Sequence, residues 1–290
     1  MTNLRAAFPA GAQSQRAARM RARLAGRYTL RDIAVPLNGL SSPLIVTAPD
    51  DPDAPLDEMA AEQGRRARGR NAPSGGVASG ESGAAAHAAR ATIAEGAHLP
   101  YWALLWPSGL ALAQALLEEP AAVRGRRTLE LGCGLGSTAA VVAALGARLT
   151  VSDLFPDALL FAAYNTQRHT GCVLHRLLLN WRTIAGRAAL LASAPYETLL
   201  AADVLYEDDD IAPLLALAPA LLAPEGTFWL AEPGRKSSRA FVSAALARAW
   251  PHSETAYERA WPPDNDAVRV CVHRFMLHGV TPNGTEAAYA

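Results

Sequence analysis

In the stretch LELGCGLGS (Leu129–Ser137), Glu130 is followed by Gly132, Gly134 and Gly136 at alternate positions. A run of strand residues that ends on an acid and then sheds its side chains lets a ligand come close to the backbone. Downstream, Asp153 closes the run RLTVSD, Asn180 and Trp181 follow VLHRLLL, and Asp203 and Tyr206 follow YETLLAA. Each of these groups stands just beyond an apolar run of strand length. An acid at the end of the second strand can accept both hydroxyls of a ribose. Asn180 offers a donor and an acceptor to an adenine edge, and Trp181 a face on which the ring can stack. Read singly, Asp153 is also a helix cap ahead of FPDAL, Trp181 a core residue, and DVLYE a cap with a packed aromatic.

The charge of the first acid narrows the ligand. A carboxylate repels a phosphate and attracts a cationic, amino-bearing group. A dinucleotide site asks for G-x-G-x-x-G/A, whereas the spacing here is G-x-G-x-G with Ser137 in the last position. The expected cofactor is S-adenosylmethionine, with a sulfonium, an α-amino group and no phosphate; an NAD-dependent oxidoreductase is disfavoured. Methyl transfer from a sulfonium is an in-line displacement, so a neutral nucleophile must be held about 3 Å from the methyl carbon with water excluded. An amine needs only an acceptor that orients it and helps remove its proton. Asp203 and Tyr206 are the candidates for that work.

These groups need a scaffold. From Leu99 onward, apolar runs of strand length alternate with helical ones, which predicts an α/β fold with a doubly wound, Rossmann-like, mostly parallel sheet. Ser137 is a candidate cap for the helix after the glycines, and Asp210 for the helix that starts near Ile211. The last two strands flank the polar, proline-rich AWPPDNDAV with no crossover helix, which predicts a hairpin and one antiparallel strand. Upstream, Arg27 to Pro49 reads as a β-hairpin, preceded by a loose tail or frayed helix. The expected organisation is an N-terminal extension (1–62), a low-complexity linker (63–95), the α/β domain (96–280) and a short tail (281–290).

Totals exclude some classes. The formal net charge is +0 over 290 residues and Lys236 is the only lysine, so the basic surplus of a nucleic-acid binder is missing. The three cysteines, Cys133, Cys172 and Cys271, are too scattered for a disulfide framework or a zinc cluster. The seven histidines show no ligand spacing along the chain, so no metal is expected. No apolar stretch is long enough to span a bilayer. A cytoplasmic location is expected; the arginine-rich, acid-free residues 1–31 leave a mitochondrial transit segment as the alternative.

The motifs PYWALLWPSG, LELGCGLG, SD, LNW, ADVLYE and EPGR together resemble the class I, seven-β-strand methyltransferases. Within them, the chain is similar to the family 16 protein-lysine methyltransferases, closest to the electron-transfer-flavoprotein β-subunit lysine methyltransferases and their bacterial relatives, over Leu99 to Leu277. The pairing of WALLWPSG with a D-x-x-Y at Asp203 to Tyr206 is its most specific part. The resemblance implies that Trp106 contacts the cofactor and that Asp203 and Tyr206 meet the substrate. Asn180 departs from it, since relatives carry an aspartate there. The N/D-P-P-Y/F loop of amide and base methyltransferases is absent after this strand; WPPDN (Trp261–Asn265) lies in another connection. The expected activity is N-methylation of lysine side chains in a protein substrate. Alternatives are a small-molecule N- or O-methyltransferase, acting on a small amine for instance, or a cofactor-binding protein without turnover.

Overall fold

The structure is a computed structural model that describes residues 15–56, 58, 100–262 and 265–277. The expected linker (63–95) and tail (281–290) lie outside the described residues. The α/β domain is built on β3 (Arg127–Leu131), β4 (Arg148–Asp153), β5 (His175–Leu178), β6 (Tyr196–Ala202), β7 (Leu222–Glu232), β8 (His252–Ala260) and β9 (Ala267–Met276). They form one sheet in the order β5-β4-β3-β6-β7-β9-β8. Strands β3 to β7 run parallel, and β9 is antiparallel to both its neighbours, β7 and β8. The doubly wound sheet with one antiparallel strand is therefore present, closed by the terminal hairpin that the proline-rich connection predicts.

The chain winds outward from β3 to β5, then returns to the other side of β3 with β6. That reversal opens a crevice at the carboxyl ends of the strands, where α/β sheets bind ligands. Both faces are covered, by α2 (Pro107–Glu118), α3 (Ser137–Ala144), α4 (Pro156–Thr170), α5 (Ile184–Ser193), α6 (Ile211–Leu221) and α7 (Lys236–Leu246). The central strands are accordingly apolar on both faces: beyond its first residue, β3 is buried throughout, and so is β4. Helix α3 is buried from Ser137 to Ala143, because it is wedged between α2 and α4. Its alanines, threonine and valines match that close packing, and it has no polar face for a periodicity search to find.

The N-terminal hairpin exists as β1 (Leu30–Val35) and β2 (Leu44–Pro49). The loose tail before it is in part ordered, as α1 (Gln15–Ala25). Ala17 and Leu24 of α1 are buried. Contacts with α4 hold the helix in place. The hairpin is tied to the same helix: Thr47 N donates to Asn165 Oδ1 at 2.9 Å, and Asn165 Nδ2 returns a bond to Thr47 O at 2.9 Å. Val35, Leu44 and Val46 share one core with Trp102 and Phe161, so the extension buttresses the wall of the crevice.

Candidate active site

Past the carboxyl ends of β3 to β6 lies a cleft of about 600 Å³, a size that suits a small-molecule ligand. Glu130, Gly132, Gly134, Asp153, Asn180, Trp181, Tyr206 and Trp106 line it; Gly136 and Asp203 do not. Eight of the residues singled out from sequence therefore meet in one place, and two stand outside its lining.

The floor is acidic and buried. Glu130 is 2% exposed and its Oε2 has no hydrogen-bond partner. Loss of solvent pushes its carboxyl up to about 8, against a bond from Thr138 that favours the charged form. Asp153, at the end of β4, accepts from Gly134 N and Phe155 N, both at 3.0 Å. Burial raises it to about 6, with these amide bonds working the other way. The helix-cap reading of Asp153 is thus met only in its bond to Phe155, the N-cap residue of α4. One N–H on each oxygen leaves lone pairs for two further donors, as a ribose diol requires.

The glycines have separate duties. Gly134, with φ +49°, turns its N–H onto Asp153, and a Cβ there would stop 3.6 Å from Trp102 O. Gly136 does not line the cleft. Its φ is +77°, and a Cβ on it would lie 2.5 Å from Ala162 Cα, so the packing of α3 on α4 is what demands a glycine. Gly136 is also the N-cap of α3, which corrects the expected cap at Ser137.

The D-x-x-Y element differs most from expectation. A residue that meets the substrate is expected to be open to it, and Asp203 is not. It is 3% exposed, and both its oxygens accept from Arg235, from Nε at 2.6 Å and from Nη2 at 3.0 Å. Arg235, from the EPGR segment after β7, lays its guanidinium carbon 5.3 Å from the Tyr206 ring centre and 5.6 Å from that of Trp106. Tyr206 stacks on Tyr101 with centroids 5.0 Å apart, and Tyr101 O accepts from Trp106 Nε1 at 2.8 Å. Burial first, then the charge of Asp203, push the Tyr206 hydroxyl upward, which keeps it a donor at neutral pH. Three aromatic rings and one cation thus frame the mouth of the cleft. Arg235 and Tyr101 were not singled out by sequence reasoning; EPGR and PYWALLWPSG were noticed as motifs only.

Asn180 Oδ1 accepts from Arg182 N at 2.9 Å and fixes the turn after β5. Arg182 forms an ion pair with the buried Asp210, whose Oδ2 accepts from Tyr206 N and Glu207 N, both at 2.9 Å. Asp210 does occupy the N-cap position of α6, but its side chain turns back to hold the Tyr206 loop instead of the helix. Trp181, half-buried, packs on the core formed by β6, β7 and α6 and also lines the cleft.

Residues 93–246 match a family described as lysine methyltransferase. The electron transfer flavoprotein beta subunit lysine methyltransferase of Homo sapiens is 33% identical over 111 residues, covering 38% of this chain and 40% of the relative. A histone-arginine methyltransferase of Mus musculus is 28% identical over 136 residues, covering 46% of this chain and 53% of the relative. This chain therefore aligns with about half or less of the length of these curated relatives. A solved N-methyltransferase of Bradyrhizobium japonicum, in complex with S-adenosyl-L-homocysteine, superposes with a TM-score of 0.44 at 18% identity, over 59% of this chain and 87% of that one.

Proposed function

Since this chain belongs to the lysine methyltransferase family, and the family match spans every residue of the cleft, we propose that it transfers a methyl group from S-adenosylmethionine to lysine side chains of a protein. The observation that carries the cofactor is the unpartnered Oε2 of Glu130 on the cleft floor. A buried carboxylate oxygen without a donor is costly, and an ammonium group offers what it lacks. An anionic pyrophosphate would make the same site worse. Asp153 would take the ribose hydroxyls, with Asn180 and Trp181 beside the adenine and Trp106 over the top. When bound, the cofactor supplies an electrophilic methyl group on a sulfonium.

The remaining steps belong to the protein. Tyr101, Tyr206 and Trp106 form an aromatic mouth that already accommodates a cation, the Arg235 guanidinium. A lysine ammonium suits the same surroundings, with ring faces beside it and the Asp203 carboxylate beneath. As it enters, Arg235 releases one carboxylate oxygen. Asp203 then orients the amine and draws off its proton, freeing the nitrogen lone pair. The rings exclude water, and the Tyr206 hydroxyl donates to close the pocket. Isothermal titration tests the cofactor half of this reading. S-adenosylmethionine should bind to the wild type and lose about 1.5–3 kcal/mol on Asp153→Ala, the cost of hydrogen bonds to a charged acceptor. Tight binding of NAD in its place would overturn it. That the substrate is a protein is supported by the two curated relatives, which are named for flavoprotein and histone substrates.

A further inference from the structure

Away from the cleft, the ladder between β8 and β9 brings two neighbouring donor groups of one strand together with a third from the other. His252 and Glu254 are alternate residues of β8 and share a face, and His273 of β9 stands directly opposite Glu254. His252 Nε2 is 2.9 Å from His273 Nδ1, and Glu254 Oε2 is 3.5 Å from the same nitrogen. All three donor atoms lie within 4.8 Å of one another. From the opposite side, Glu232 Oε1 faces His273 Nε2 at 3.4 Å, while Glu232 Oε2 accepts from Gly234 N at 2.6 Å. The His252 ring is stacked on Phe275 with centroids 4.9 Å apart, which limits its rotation.

We propose that His252, Glu254 and His273 bind a divalent transition-metal cation of the zinc type. Two imidazoles and a carboxylate are the donors such a cation takes, and three protein ligands leave a fourth position for water. Glu232 sets the tautomer: accepting the Nε2 proton of His273, it leaves the Nδ1 lone pair pointing at His252 and Glu254, as carboxylates do behind metal-bound histidines. In a tetrahedral site with metal–nitrogen bonds of about 2.0–2.1 Å the two nitrogens would stand about 3.3 Å apart, so the rings, which now face each other nitrogen to nitrogen, need to part by a few tenths of an ångström and tilt so that both lone pairs meet at the cation. Glu254 is exposed, which gives the cation a way in from solvent. Spacing along the chain conceals this set, because two of its members come from one strand and the third from the strand that returns beside it.

The test uses the full-length, untagged chain, stripped with a chelator and titrated calorimetrically with Zn²⁺ alone. One equivalent per chain should bind, and Co²⁺ in its place should give the visible absorption of a low-symmetry, four-coordinate site. His252→Ala and the exposed, conservative Glu254→Gln should each weaken binding at least about 100-fold, and Glu232→Gln by about 10–100-fold as an outer carboxylate. Absence of saturable binding at one equivalent overturns the proposal. So does binding to His252→Ala and Glu254→Gln as tight as to the wild type.

Discussion

Arg235 closes on Asp203 with two nitrogens, Nε at 2.6 Å and Nη2 at 3.0 Å, across 32 residues of sequence. The pair joins the loop after β6 to the loop after β7. The Asp203 side chain is 2% exposed and that of Arg235 33%, so the carboxylate depends on its partner for nearly all of its solvation. Arg235→Ala leaves that charge buried and unpaired. The expected loss of stability lies near the lower end of about 3–5 kcal/mol, because water still reaches part of the guanidinium site. Arg235→Lys should fall between, keeping the charge and losing the fork. Urea denaturation checks both; a change within about 0.5 kcal/mol for Arg235→Ala would remove the pair's structural role.

For transfer, Asp203→Ala should lower turnover by about 10²-fold or more, as for loss of a positioned proton acceptor. Cofactor affinity should change by less than about 1 kcal/mol, since the carboxylate lies behind the cleft lining and not in it. Tyr206→Phe should be milder, keeping the ring that stacks on Tyr101. A double-mutant cycle on turnover separates two roles for Asp203. If it acts on the amine itself, adding Asp203→Ala to Arg235→Ala still costs most of the 10²-fold. If it only holds Arg235, the double variant is no slower than Arg235→Ala alone.

Glu130 predicts a pH dependence with a definite sign. Its carboxyl is raised from 4.5 to about 8 by burial, so the folded protein holds a proton that the unfolded chain gives up. Its contribution is fully present below about pH 4.5, falls as pH rises toward 8, and levels off above that. Asp153, raised from 3.8 to about 6, behaves likewise over a lower window. Histidines titrate in the same range, so the signal is a difference between proteins. The melting temperature of the wild type should drop relative to Glu130→Gln between pH 6 and 8. Parallel curves would show that Glu130 is charged throughout.

Gly136→Ala should be more destabilising than Gly134→Ala. Both positions have positive φ, but only at Gly136 would the new Cβ strike backbone, at 2.5 Å from Ala162 Cα. Thermal denaturation of the two variants without cofactor checks this. Equal losses would mean that φ strain, and not the packing of α3 on α4, sets the cost.

What could be read from the sequence divides along one line. Groups set by their own strand end were legible: an apolar run followed by Glu130, Asp153, Asn180 or Tyr206 places each at the mouth of a parallel sheet. Groups set by a partner from elsewhere were not. Arg235 stands in sequence only as the last residue of EPGR, and its pairing with Asp203 emerges when β6 and β7 are laid side by side. Asp210 reads as a simple cap until Arg182 reaches it from the loop after β5. Gly136 looks like its two neighbours until α4 is packed against α3. Helix α1 was legible only as a loose tail or frayed helix, because the partner that fixes it, α4, lies more than a hundred residues away.

Methyl transfer to a lysine side chain can be measured outright. The purified chain is incubated with S-adenosylmethionine carrying a labelled methyl group and with lysate of its own host, and the labelled material is digested and sequenced by mass spectrometry. Label should appear on the side-chain nitrogen of lysine in one or a few proteins, reduced by about 10²-fold with Asp203→Ala. Label confined to small molecules, or protein labelling that Asp203→Ala leaves unchanged, would contradict it.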